Sequence, residues 1–179
     1  MKIKTVLGTL LVLILVGLGT FLGVIYSGAF DVAATSGHSA VTKWVATTVV
    51  DNSVKKRAAA LSAPAWFASD DPSQGFKSYD RHCRGCHGAP GITRGDVPKG
   101  MEPPPPEMTD AAKDWTPQEL YWIVSHGIKM SGMPPFDKVF SEEERWQLVA
   151  FLKKLPDMTS QRYAELKAKD GKGSGESGH

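Results

Sequence analysis

The chain has 179 residues, of which 41% are hydrophobic and 22% are charged, and its formal net charge is +2. This length allows one ordinary domain with extensions, while 12 prolines and 18 glycines are too many for a simple helical bundle. The two cysteines cannot form the disulfide framework of a small secreted domain, and a net charge near zero disfavours a nucleic-acid-binding protein that relies on phosphate contacts.

The first 30 residues contain a long apolar segment. No charged residue separates Lys4 from Asp31, and the run 6–26 is long enough to cross a bilayer core of about 30 Å as a helix. We interpret residues 1–30 as a cytoplasmic start and an uncleaved transmembrane anchor. The alternative is a cleaved signal sequence, for which residues 32–34 form a poor cleavage site. In either case we expect the rest of the chain on the periplasmic side of a bacterial inner membrane.

Residues 31–72 are predicted to form an extracytoplasmic spacer or docking helix and a linker. Six residues recur there at helical spacing: Val41, Trp44, Val45, Thr48, Val49 and Asn52. This pattern is typical of an amphipathic helix that lies on the membrane or on a partner protein, and also of a packed spacer helix. The linker is assigned to Ser62–Pro72, which is rich in turn-forming residues. At the other end, the polar residues 161–179 are predicted to be a disordered tail.

Both cysteines lie in the motif Cys83-Arg84-Gly85-Cys86-His87. The spacing C-x-x-C-H is the signature of covalent haem attachment, in which two thiols bind one porphyrin and the following histidine is the proximal iron ligand. Three alternatives remain open: a redox dithiol, half of a zinc site, and an inert disulfide. The first needs a βαβ setting and the second needs another Cys/His pair, and neither pattern is present in the sequence. We therefore predict one covalent haem c.

A haem iron needs a second axial ligand or an open position, and Met133 is the first candidate. It lies in a loop with Gly132 before it and two prolines after it, and such a loop can hold a thioether rigidly. Met130 and His126 are the alternatives, and the latter would give a bis-histidine iron with a lower potential. Met101 and Met108 also follow the motif in the sequence.

Three helices are predictable around this motif. The first ends at Cys83. The second begins at Thr116-Pro117 and the third at Ser141, each with a capping Thr or Ser and a Glu three residues later. No convincing strand follows residue 70, so the fold class is predicted to be all-α.

Residues 73–156 resemble the class I c-type cytochromes. The resemblance rests on Gly75 and Tyr79 before the haem motif, on the motif itself, on Gly132-Met133-Pro134, and on a last helix that contains Phe151. It implies a cytochrome c domain over residues 73–160, wrapped round one haem and preceded by a single transmembrane helix. It also implies a close crossing of the first and last helices, with His87 and Met133 as axial ligands. The proline run 103–106 has no counterpart in the family pattern.

The function expected from these features is one-electron transfer. The protein would be a membrane-anchored mono-haem cytochrome that cycles between Fe(III) and Fe(II), with redox protein partners in a respiratory chain. The N-terminal anchor favours a subunit of a larger complex or a carrier tethered beside one. We expect no catalytic residue, no small-molecule substrate and no nucleic-acid partner. The alternative is a haem-based sensor or a small-molecule haem enzyme with a labile distal ligand.

Overall fold

The computed structural model describes residues 2–69 and 71–173. Its α-helices are α1 (Lys2–Ser27), α2 (Ala40–Ala58), α3 (Pro72–His82), α4 (Arg84–His87), α5 (Met108–Asp114), α6 (Pro117–His126), α7 (Glu142–Lys154) and α8 (Ser160–Gly173). Short 3₁₀ helices span Ala34–Ser36, Phe67–Ser69, Val97–Gly100 and Leu155–Asp157. In the part of the chain that is described, the only β pairing is a single bridge between Ala89 and Ile92. The predicted all-α fold is confirmed.

The chain divides into two compact units, Met1–Ser36 and Gly37–His179. The first unit contains α1, whose side chains are all exposed and mostly apolar. This helix is long and apolar enough to cross a membrane, a criterion that signal sequences near an N-terminus also meet.

The second unit is built on the crossing of α3 and α7. A methyl group added to Gly75 of α3 would overlap the backbone oxygen of Gln147 and lie 2.6 Å from Cβ of Phe151. The two backbones therefore touch, as the family resemblance implies, and only glycine fits at this point. The rings of Phe76 and Tyr79 lie 5.9 Å and 5.3 Å from the ring of Phe151, and all three are buried. This crossing fixes the end of α3, where the cysteine motif begins.

Helices α6 and α7 begin where their capping residues predict. Thr116 and Ser141 each accept a hydrogen bond from the backbone N–H three residues later, and Glu119 and Glu144 accept one in return. The two helices pack through Tyr121 and Trp146, whose rings are stacked with centroids 4.1 Å apart.

From Gly37 onward, the segment predicted as a spacer and linker belongs to the second unit and contributes to its core. Val54 and Ala58 near the end of α2 are buried, and α2 packs on α6. Leu61, Ala63, Trp66 and Phe67 are partly buried against the core. The separate linker expected at Ser62–Pro72 is therefore a wrong prediction, because the apolar side chains within this Pro-rich segment reach the core.

The disordered tail expected over residues 161–179 is wrong for the residues that the structure describes there. Residues 160–173 form α8, with Tyr163 and Leu166 buried. The Tyr163 ring lies 5.1 Å from that of Phe76, and its hydroxyl donates to Asp80 at 2.9 Å. The burial of Tyr163 and Leu166 is thus enough to pack α8 against the core, although the composition of this helix is polar on average. Residues 174–179 lie outside the described part of the chain.

Candidate haem site

The cysteine motif forms one tight turn at the end of α3. The backbone N–H of Cys83 closes α3 on Tyr79, and the N–H groups of Cys86 and His87 donate to the carbonyl of Cys83 at 3.1 Å and 2.9 Å. Gly88 then ends α4 at a φ of 70°, which favours glycine. The buried hydroxyl of Tyr79 donates to the carbonyl of Gly88 at 2.6 Å. Two thiols and an imidazole are therefore presented by five consecutive residues on a fixed backbone.

The His87 ring is oriented by a backbone carbonyl 19 residues later. Its Nδ1 lies 2.8 Å from the oxygen of Pro106, and since a carbonyl only accepts, Nδ1 carries the proton. The other nitrogen, Nε2, then has its lone pair available for a metal. Burial lowers the pKa of His87, and the positive charge of Arg94 acts in the same direction. A neutral imidazole with its second nitrogen hydrogen-bonded is the form in which histidine binds metals.

The proline run, which the family pattern did not explain, forms the support for this histidine. Besides the bond from His87 to Pro106, Nη1 of Arg94 donates to the carbonyl of Pro105. Nε of Arg94 also lies 3.7 Å from a carboxylate oxygen of Glu107. A run of prolines has no N–H groups, so its carbonyls can only be satisfied from elsewhere. This lack of N–H groups is the sequence feature from which it was predictable that residues 103–106 accept hydrogen bonds from other parts of the chain.

The geometry disfavours the three alternatives for the cysteines. Both thiols are free rather than joined in a disulfide. Burial, with a smaller effect of Cys86, raises the pKa of the Cys83 thiol to about 12, whereas redox dithiols have a lowered pKa. Among residues 2–69 and 71–173 no group of three or more His, Cys, Asp and Glu side chains could hold a metal ion. A zinc site of that kind is therefore not formed in this part of the chain.

The loop that carries Met133 is a compact turn after α6. Gly127 ends α6 at a φ of 64°, and a methyl group there would lie 2.6 Å from the oxygen of Met133. The N–H of Ile128 donates to this same oxygen at 3.1 Å, and the N–H of Met133 donates to Oγ of Ser131 at 3.1 Å. The Met133 side chain is partly buried and packs against the hydrophobic core. The loop thus holds this methionine by its backbone and turns it inward.

The two alternatives to Met133 as distal ligand, Met130 and His126, are exposed rather than packed against the core. Met130 is 95% exposed, and His126 is an exposed residue of α6 with its ring 5.0 Å from that of Trp122. Met108 is partly buried against the core. Met101 is the methionine that sequence reasoning did not single out: its sulfur would lie 2.9 Å from a methyl group on Gly132. It therefore packs beside the Met133 loop, and its place in the sequence, before the proline run, gave no sign of this.

The residues of the site fit a covalently bound haem. Two thiols on one turn, an imidazole with Nε2 available and a core-facing thioether are the donor set that this group requires.

Residues 70–152 match the family model described as cytochrome c oxidase, cbb3-type, subunit III. The match covers the cysteine motif, the proline run, the Met133 loop and most of α7. No curated protein matches the chain.

Proposed function

Because residues 70–152 are a c-type cytochrome domain, we propose that the protein is a membrane-anchored electron carrier of a respiratory chain. Such a domain carries one covalent haem c and transfers single electrons. The respiratory setting is supported by the name of the matched family, which refers to an oxidase subunit. The anchor is supported by the length and apolar composition of α1. In this proposal the haem domain lies on the periplasmic side of the inner membrane, as a subunit of a complex or as a carrier tethered beside one.

We assign the haem contacts from the arrangement of the site. Cys83 and Cys86 form the two thioether links, His87 is the proximal iron ligand through Nε2, and Met133 is the distal ligand. The observation that carries this assignment is the hydrogen bond from Nδ1 of His87 to Pro106, because it fixes both the tautomer and the direction of the free nitrogen. The inward orientation of Met133 in its turn supports the distal assignment.

The bound haem supplies a one-electron couple, and the protein supplies rigidity. Pro106 keeps the imidazole ring from rotating, and Arg94 holds the adjoining carbonyl. The turn around Gly127 and Ser131 fixes the position of Met133. A thioether ligand favours the reduced, less charged iron, so we expect a comparatively high reduction potential. With His87 and Met133 both bound to the iron, the haem would have no open coordination position for oxygen or another small molecule.

The ligand assignment is tested with Met133→Ala in the full-length holoprotein. We expect loss of the thioether–iron charge-transfer band, a lower reduction potential and rapid carbon monoxide binding to the reduced protein. Met130→Ala is the matched control, because this exposed methionine in the same loop should leave the spectrum unchanged. An unchanged six-coordinate spectrum in Met133→Ala would remove this residue from the ligands. Ready carbon monoxide binding by the unmodified protein would instead favour the sensor or small-molecule enzyme.

The respiratory role is tested in native membranes. During respiration, the absorbance of this haem should show reduction by the chain upstream and reoxidation by a terminal oxidase. Cyanide should then leave the haem reduced if an oxidase is its acceptor. A haem whose redox state does not respond to respiration or to cyanide contradicts the proposed role, even where the ligands are as assigned.

A further inference from the structure

The outward face of α2 carries an apolar stripe in its first half. Four side chains lie there at helical spacing and are largely exposed: Val41, Trp44, Val45 and Val49. Trp44 alone is 69% exposed, although a large aromatic side chain is normally covered at least in part. We call these four residues the α2 stripe.

The opposite side of α2 is fixed to the haem domain. Val54 and Ala58 are buried where α2 packs on α6, and the guanidinium of Arg57 lies 5.9 Å from the centre of the Trp122 ring. Near the start of α2, Glu102 lies 4.0 Å from Nζ of Lys43 and accepts a weaker hydrogen bond from the N–H of His38 at 3.4 Å. The stripe is therefore carried by a helix whose second half is packed into the haem domain and whose first half has only these polar contacts at its start.

The charged residues on the outward face of α2 indicate the chemistry of the surface that the α2 stripe contacts. At about 100° per residue, Lys55 and Lys56 follow the stripe on the outward side of α2, while Val54 and Ala58 point the other way. Both lysines are exposed. Thr48 and Asn52 lie on this face too, so only the first half of α2 is apolar on its outward side. An exposed Trp with valines beside it and lysines after it suits the headgroup region of an anionic membrane.

The chain also brings this helix to a membrane. Residues 28–39 connect the end of α1 to α2, and an extended segment of that length reaches at most about 40 Å. The connection is therefore too short to separate the start of α2 from the end of α1 by more than this distance. Phe30 and Val32 within the connection are 73% and 89% exposed.

We propose that the α2 stripe lies in the outer headgroup layer of the membrane that α1 spans, with Lys55 and Lys56 on anionic phospholipid. This proposal rests on the anchor of the proposed function but not on the haem ligands. A tether alone leaves the haem domain free to rotate. A second attachment through α2 restricts its orientation, and therefore the direction in which its haem edge faces a partner.

The test uses the full-length holoprotein with one added cysteine, in lipid nanodiscs of three parts phosphatidylcholine to one part phosphatidylglycerol. The native cysteines are consumed as thioethers, so only the new thiol reacts with a water-soluble maleimide. Val49→Cys reports on the stripe, and Val139→Cys is the matched control because the two valines are 61% and 55% exposed. We expect residue 49 to react at least about tenfold more slowly than residue 139, with equal rates in denaturant.

A second pair of measurements identifies the lipid. Replacing either Lys55 or Lys56 by Gln should reduce the protection at residue 49 by about fivefold, and replacing both, or removing phosphatidylglycerol, should abolish most of it. Equal rates at positions 49 and 139 in discs that contain one protein would overturn the proposal. Protection that occurs only in native membranes would overturn it too, since a partner protein would then cover the stripe. If the protein does not enter the discs at all, the anchor itself is contradicted. If the haem spectrum is normal but residue 49 is not protected, only the proposed role of α2 is contradicted.

Discussion

The proximal and distal sides of the site are held in different ways. On the proximal side, the turn that carries His87 is continuous with a helix that crosses α7 in the core, and the ring is bound by a carbonyl 19 residues away. On the proposed distal side, the N–H of Met133 donates to the hydroxyl of Ser131 and its carbonyl accepts from the N–H of Ile128, both within the same short turn. We therefore expect the position of His87 to be lost only when the core unfolds. The turn that holds Met133 can be altered by a mutation while the rest of the fold persists.

The largest effect should follow from Gly75→Ala on the proximal side. The new methyl group has no space between Gln147 and Phe151, so we expect a loss of about 3 kcal/mol or a failure to fold. Denaturant unfolding of the holoprotein measures this. Gly171→Ala is the control, because that helical glycine has open space around it and the change should stabilise slightly. Equal stabilities of the two variants would contradict the close crossing.

Gly127→Ala should affect the distal side while sparing the proximal one. Its φ of 64° and its approach to the oxygen of Met133 leave no room for a side chain, at a cost of about 2 kcal/mol. We expect the thioether–iron band to weaken while the helical circular dichroism and the covalent haem remain. Gly100→Ala has open space at the new methyl group and should change neither signal. A full-strength band in Gly127→Ala would show that the turn does not determine the distal ligand.

Ser131→Ala tests the same turn more gently. The hydroxyl donates to Ile128 at 2.7 Å and accepts from the N–H of Met133, so its removal should cost about 1 kcal/mol. The consequence for function is faster opening of the distal side, measured as faster cyanide binding to the oxidised protein. Ser131→Thr keeps the hydroxyl and should restore the slow rate. If the Ser131→Ala and Ser131→Thr variants bind cyanide equally fast, the hydroxyl of Ser131 does not control the opening of this turn.

The smallest effect should come from Glu144 at the start of α7, whose contribution to the free energy of unfolding depends on pH. Hydrogen bonds from Ser141 hold the pKa of the Glu144 carboxyl below its usual range. A folded-state pKa below the unfolded one adds stability above the unfolded pKa, and this is lost as the pH falls through the folded value. Glu144→Ala should therefore cost about 0.5 kcal/mol at neutral pH and less at about pH 3, by denaturant unfolding. Glu142→Ala, which removes an acid from the same turn but not the capping bond, should cost less at neutral pH.

The sequence predicted those parts of the molecule that depend on neighbouring residues. The haem motif and the caps at Thr116 and Ser141 are local patterns, and the helices begin where these patterns say. The bond from His87 to Pro106 was not predictable in the same way. The proline run indicates that carbonyl acceptors are present, but not which donor 19 residues away they meet. The ligand role of Met133 stays a prediction.

Predictions from average composition were wrong where a few buried residues decide whether a segment packs against the core. The segment after residue 160 is polar overall, yet Tyr163 and Leu166 are enough to hold a helix against the core. Average hydropathy does not say which element a side chain meets.

The position of α8 has a consequence for dissecting the molecule. The family match ends at residue 152, but Tyr163 lies on the rings of Phe76 and Phe151 and binds Asp80, which also pairs with Arg84 inside the haem motif. A gene fragment cut at the edge of the match would leave two core rings facing water and a carboxylate without its phenol. Expression designs, domain fusions and transplants of this electron-transfer unit should therefore carry the chain through residue 173.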